Sequence, residues 1–157
     1  MKEYFIGIDP GIRSGAVAVI VPGRNTAEAL DCPDSIHGMA KLMHCIIDNY
    51  GDGCMLAAVE KVHSMPRQGV RSTFCFGENF GAWQGIVEAM GLRLLLPPPQ
   101  EWLKGMLIPK GASKVAHVEM AEKLFPHVEL RGPRGGIKDG RADALLIAKY
   151  AQKWLWG

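Results

Sequence analysis

Apolar positions come first in short unbroken runs and later at helical spacing. Tyr4 to Asp9 is an apolar run closed by an acid, and Ser14 to Val21 is a second run rich in β-branched residues. Both read as buried strands. Pro22-Gly23-Arg24-Asn25 is a turn signal, after which Thr26 to Cys32 returns as a third strand, so the opening is predicted to be an antiparallel meander. From Ser35 to Tyr50 the period becomes helical, with Ile36, Met39, Ala40, Met43, Ile46 and Ile47 on one face. Ser35 or Asp34 suits the N-cap and Gly51 the stop. Met55 to Glu60 is again a buried run, expected to lie parallel to the first strand because a helix intervenes.

His63 to Arg71 has no period and reads as a loop. Ser72 to Met90 is a long helix on which Gly77, Gly81 and Gly85 form one bare stripe. Each glycine costs about 1 kcal/mol in a helix interior relative to Ala, so the stripe implies a second backbone passing close by, in the same subunit or a dimer partner. Leu92 to Leu96 is a strand closed by Pro97-Pro98-Pro99, Gln100 to Leu107 a short helix, and Ser113 to Leu124 a well-capped one. A Gly/Pro/Arg-rich loop over 126–136 leads to a final helix, Asp139 to Trp156. This order predicts a single α/β domain over residues 1–157. Its mixed sheet has three antiparallel strands followed by parallel ones, with helices on both faces.

Composition bounds the chemistry. The net charge of 157 residues is only +2, so contact with nucleic acid would rest on local basic patches. Cys32, Cys45, Cys54 and Cys75 include no C-x-x-C pair and read as reduced thiols of a cytoplasmic protein. The N-terminus lacks signal-peptide character and no run is long enough to span a membrane, so a soluble chain without a membrane partner is expected.

Against this background four acids stand out. Asp9 and Glu60 each end an apolar strand, on what the connection order makes the same rim, and Asp139 and Asp143 open the last helix. Residues four apart on a helix share a face, about 5–6 Å between Cβ atoms. Carboxylates gathered in one cleft repel unless a cation joins them, and hard divalent ions take such oxygen ligands. Two ions about 3.5–4 Å apart are the arrangement for in-line attack on a phosphodiester.

Gly7-Ile8-Asp9-Pro10-Gly11 with Ser14-Gly15-Ala16, then Val59-Glu60-Lys61, then Lys138-Asp139-Gly140-Arg141-Ala142-Asp143-Ala144-Leu145 together resemble the RuvC branch of the ribonuclease H-like nucleases. Order and separation fit over essentially the whole chain, and short phage and organellar members resemble it as well as bacterial ones do. The resemblance implies a ribonuclease H-like fold and a homodimeric endonuclease that cuts four-way (Holliday) DNA junctions symmetrically, leaving ligatable ends. It implies two Mg²⁺ per site, with Mn²⁺ as substitute, held by Asp9, Glu60, Asp139 and Asp143 as catalytic residues. Lys104 and Lys114 match a phosphate-gripping pair, with Lys110 between them. Arg67 and Arg71 lie on the loop that family members insert at the junction centre, with Met65 and Phe74 as candidate apolar wedges. One departure stands out: the family commonly spaces its last two site residues three apart, and Gly140 occupies that place here, leaving the role to Asp139.

Plainer roles stay open. Asp9 could cap a turn, Asp139 a helix start, the lysines a solvated face, and Met65 and Phe74 ordinary loop or core positions. A broader branched-DNA or RNA–DNA hybrid nuclease is the alternative activity. Behind it stand an actin-like nucleotide-binding ATPase fragment, which would need a second similar domain, and a non-catalytic junction-binding protein.

Overall fold

The structure, a computed structural model, describes residues 2–63, 66–67 and 69–157. A five-stranded sheet in the order β3-β2-β1-β4-β5 runs through it. Its strands are β1 (Tyr4–Asp9), β2 (Ala16–Val21), β3 (Thr26–Asp31), β4 (Cys54–Val59) and β5 (Leu94–Leu95). β1 pairs antiparallel with β2, and β2 with β3, whereas β4 lies parallel to β1 and β5 parallel to β4. This is the predicted mixed sheet, and β1, at its centre, is apolar along its length because both of its faces are covered.

The helices are α1 (Ile36–Tyr50), α2 (Val70–Ala89), α3 (Pro99–Gly105), α4 (Lys114–Leu124) and α5 (Asp139–Trp156). Strand side chains alternate between faces. Tyr4, Ile6, Ile8, Val17, Val19, Ala57 and Val59 pack with Met39 and Met43 of α1 and Trp83 and Val87 of α2. Phe5, Ala16, Ala18, Leu56 and Ala58 pack on the other side with Trp102 of α3, Val118 and Ala121 of α4, and the buried face of α5. Ser35 caps α1 by accepting the Gly38 N–H at 3.1 Å, and Gly51 ends it at φ 79°.

Several element boundaries shift by one or two residues from the sequence reading, and three elements show the local features behind the shift. α2 begins at Val70, with Gly69 rather than a hydroxyl residue at its cap. β5 shrinks to a pair of residues between the Gly91 turn and the proline run. α3 stops at Gly105 because Leu107 turns into the left-handed region at φ 59° and the Ile108 N–H folds back on the Leu103 carbonyl at 2.9 Å.

The glycine stripe also reads differently. Among the described residues a Cβ on Gly77, Gly81 or Gly85 would meet nothing within 4 Å, so none of their backbone runs against the stripe. The reason lies in helix phase: α2 seats Trp83, Ile86 and Val87 on the sheet, which turns the stripe outward. Close packing occurs instead under α5, where a Cβ on Gly7 would overlap the backbone of Ala144 and Ala148. Among the described residues no helix is long and apolar enough to cross a membrane.

These two kinds of glycine should respond oppositely to one methyl group. Gly7→Ala is expected to destabilise by about 3 kcal/mol, as overpacking against unyielding backbone. Gly81→Ala in dilute protein should gain up to about 1 kcal/mol from helix propensity. Urea unfolding of both variants checks the contrast.

Candidate active site

Alternation along β1 puts Phe5, Gly7 and Asp9 on the α5 side, and along β4 it does the same for Leu56, Ala58 and the residue that follows, Glu60. The two strand ends are locked in register where the Glu60 N–H donates to the Ile8 carbonyl at 3.0 Å. Beyond Asp9 the chain folds tightly. Asp9 Oδ1 accepts the Gly11 N–H at 3.0 Å, Gly15 N–H donates to the Gly11 carbonyl at 3.1 Å, and Asn79 Nδ2 of α2 donates to the Pro10 carbonyl at 2.5 Å. Gly140, on the first turn of α5, presses on this loop so closely that a Cβ there would overlap the Ser14 carbonyl. One turn further on, α5 delivers Asp143, only 2 % exposed, beside the strand ends.

Both oxygens of Asp143 are engaged: Lys114 Nζ donates to Oδ2 at 2.6 Å, and His117 Nδ1 lies 2.7 Å from Oδ1. Both partners project from α4, whose first turn is capped by Ser113 accepting the Ala116 N–H. Glu60 Oε1 accepts from Trp102 Nε1 at 3.0 Å. The indole of Trp102 stands edge-on to the His117 ring, with centroids 5.9 Å apart.

The carboxylates feel one another. Burial pushes the Asp9 carboxyl up to about 8, with the charges of Glu60 and Asp143 adding to it and the Gly11 N–H and Lys114 opposing. Glu60 is raised by burial too, against the Trp102 bond, with Asp143 contributing. Burial alone would lower Lys114, but Asp143, with Asp9 and Asp139 behind it, outweighs that and holds the ammonium above its ordinary value.

Asp139 stands apart. Its side chain is 30 % exposed and its nearest cation, Lys114, is 4.0 Å away. The structure therefore brings Asp9, Glu60 and Asp143 into mutual electrostatic contact and leaves Asp139 at the margin.

Among the described residues no cluster of three or more His, Cys, Asp or Glu side chains is gathered closely enough to enclose a metal ion. Lys114, His117 and Trp102 already hold the oxygens that would turn toward one. The donor set nonetheless fits a hard cation. Carboxylates that raise one another by proximity are relieved by a divalent ion, and Asp9, Glu60 and Asp143 would be its oxygen ligands.

Of the other expected residues, Lys114 enters the site, whereas Lys104 and Lys110 are exposed on and after α3. Arg71 lines a groove of about 860 Å³ with Ile12, Arg13 and Phe76, running from the Asp9 loop to the start of α2. Arg67 is exposed in the left-handed region at φ 67°, and Phe74 is 65 % exposed on α2. Met65 lies outside the described residues. Sequence reasoning missed His117 and Trp102. For His117 a signal existed: it follows Lys114 by three residues on one helix and so shares its face. Trp102 offered only its buried N–H, which needs a partner.

Sheet order, the crossing of α5 and the placement of acids at the ends of β1 and β4 give a ribonuclease H-like fold. No protein-family model and no curated protein matches the sequence. Solved structures place the fold more narrowly. Thermus thermophilus RuvC in complex with a Holliday junction substrate matches with a TM-score of 0.70 and 20 % identity, over 98 % of this chain and 94 % of that one. The structure of Thermus thermophilus RuvC itself matches at 0.63 with 18 % identity over 97 % and 95 %. The yeast mitochondrial Holliday junction resolvase matches at 0.57 with 13 % identity over 95 % and 77 %. The chain has the fold of the RuvC resolvases, as its motifs implied.

The raised Asp9 carboxyl carries a pH signature. It is ionised in the unfolded chain above about 3.8 but stays protonated in the fold up to about 8. Stability of the metal-free protein should therefore fall as pH rises between those values. Asp9→Asn, which can still accept the Gly11 N–H, should flatten this decline. Thermal melts at pH 5 and pH 8 should show the variant gaining on the wild type at the higher pH.

Proposed function

We propose that the protein is a divalent-metal-dependent endonuclease that resolves four-way DNA junctions by paired nicking, as a homodimer. The carrying observation is the set of buried Asp143 and half-buried Asp9 and Glu60, drawn together at one sheet end of a RuvC-type fold. The RuvC structure that aligns with this chain holds a Holliday junction substrate, which supports the choice of substrate.

In this reading Asp9, Glu60 and Asp143 hold the metal, with Asp139 adding charge at the rim. A divalent ion held there would supply Lewis acidity toward the phosphodiester and its attacking water. Asp9 and Glu60 are fixed by strand register, so the attacking oxygen and the phosphorus meet without searching for geometry. Lys114, more than half exposed at its tip, is free to exchange Asp143 for a substrate phosphate. Arg13 and Arg71 line a groove beside Asp9 that suits the phosphodiester backbone leading to the cut. Lys104 and Lys110, exposed on and after α3, are further cations for the backbone, and Phe74 stands exposed on α2 where an unstacked base could rest. The outward glycine stripe of α2 gives a second copy a place to approach closely, and each subunit would then cut one of two opposed strands.

Purified protein with Mg²⁺ or Mn²⁺ should cut a labelled four-way junction in preference to fork, flap, duplex and RNA–DNA hybrid. Asp9→Asn, Glu60→Gln and Asp143→Asn should each lower cleavage by about a hundredfold or more while binding persists. Equal cutting of plain duplex, or full activity of Asp143→Asn, would overturn the assignment. Lys114→Ala should reduce the slope of log affinity against log salt by about 1. Sedimentation should show a dimer that Gly81→Arg splits into folded monomers.

A further inference from the structure

We propose that His117 is a positioning residue of this site. It fixes the Asp143 carboxylate, through Nδ1, in the orientation that receives the metal; the inference rests on the nuclease reading above. The two contacts on Asp143 differ in kind. Lys114 is a long chain, 55 % exposed, whose ammonium can leave for a phosphate or yield to a metal cation. His117 is only 6 % exposed, wedged on α4 against Trp102, and has no room to leave. A carboxylate can only accept, so Nδ1 carries the proton of the 2.7 Å bond.

When Lys114 moves away, His117 is the contact that keeps Asp143 from rotating. Ligating carboxylates need such support, and its removal typically costs 10–100-fold in metal affinity or activity. The histidine also ties together acids from separate elements. Glu60 after β4 is bonded to Trp102 of α3, Trp102 abuts His117 of α4, and His117 grips Asp143 of α5. Gly140 sharpens the need for it. The position one turn before Asp143 can carry no side chain, because the Ser14 carbonyl fills the space. Asp139, on the same helix, is a half-buried group of like charge, so the buried contact to Asp143 comes from α4 instead.

The test compares wild type with His117→Ala, His117→Asn and His117→Gln. The Asn amide nitrogen falls near the place of Nδ1, whereas that of Gln reaches past it. Terbium(III) binding is read by luminescence sensitised through Trp102, beside single-turnover cleavage of a four-way junction, junction affinity and melting temperature. His117→Ala should weaken terbium binding and slow cleavage, each by about 10–100-fold, with junction affinity unchanged, and His117→Asn should recover most of both. If Ala and Asn bind terbium as wild type does and differ from it only in melting temperature, His117 is a core residue and the proposal fails. If wild type does not cut junctions but terbium affinity falls in Ala and returns in Asn, the positioning role stands and the nuclease reading fails. Should His117→Ala not fold, Asn against Gln decides: tighter terbium binding by Asn supports the role, and equal binding overturns it.

Discussion

The structure turns on how closely α5 lies against the centre of the sheet. Gly7 on β1 leaves no side chain between its strand and Ala144 and Ala148 of α5, so helix backbone rests almost on strand backbone there. Asp9 is two residues past Gly7 on the same strand face, and Asp143 immediately precedes Ala144 on the helix. A seam of small residues thus decides the height of one carboxylate above the other. Gly140 repeats the device at the end of the helix, against the loop that follows Asp9. With larger side chains at these places the same elements would pack further apart, and their acids would be ordinary solvated groups.

Bringing carboxylates together out of water is costly, and the fold meets that cost unevenly. Asp143 has a lysine and a histidine, and Glu60 has an indole N–H. Asp9 accepts one hydrogen bond among the described residues, from the Gly11 N–H, and burial, with the charges of Glu60 and Asp143 adding to it, pushes its carboxyl up to about 8. Removing a partner from a buried charge costs more than the pair itself contributes, so the surrounding contacts are constraints rather than surplus stability. A site of this kind is held in readiness for positive charge, and the rest of the core bears the resulting loss of stability.

Much of this was legible in the chain. β1, α1 and α5 carry strong local signals: an apolar run closed by an acid, a serine cap with helical period, and an aspartate at a helix start. Strand alternation even fixes the side of the sheet to which Asp9 and Glu60 turn. The rest depended on information that local pattern does not hold. The end of α3 relies on a leucine in a conformation usually left to glycine, so the period ran two residues too far. The glycine stripe suggested a close approach, but the phase of Trp83 turns it away from the rest of the described chain, and the tight backbone contacts fall at Gly7 and Gly140 instead. His117 and Trp102 were missed because they reach the acids only through the packing of α3 and α4.

The contrast between Asp139 and His117 shows what spacing alone leaves open at the fourth site group. Residues four apart share a helix face, yet a face is only half of a position. Asp139 is the first residue of α5, where the helix emerges from the core, and water screens its charge from Lys114 at 4.0 Å. It lends negative potential to the rim without a fixed geometry. His117 comes from another helix and has no relation in sequence to the acids, but it is buried and bonded directly to Asp143. Where the exclusion of a side chain at Gly140 alters the usual spacing, burial and hydrogen bonding to Asp143 set His117 apart from Asp139 in a way that sequence distance does not.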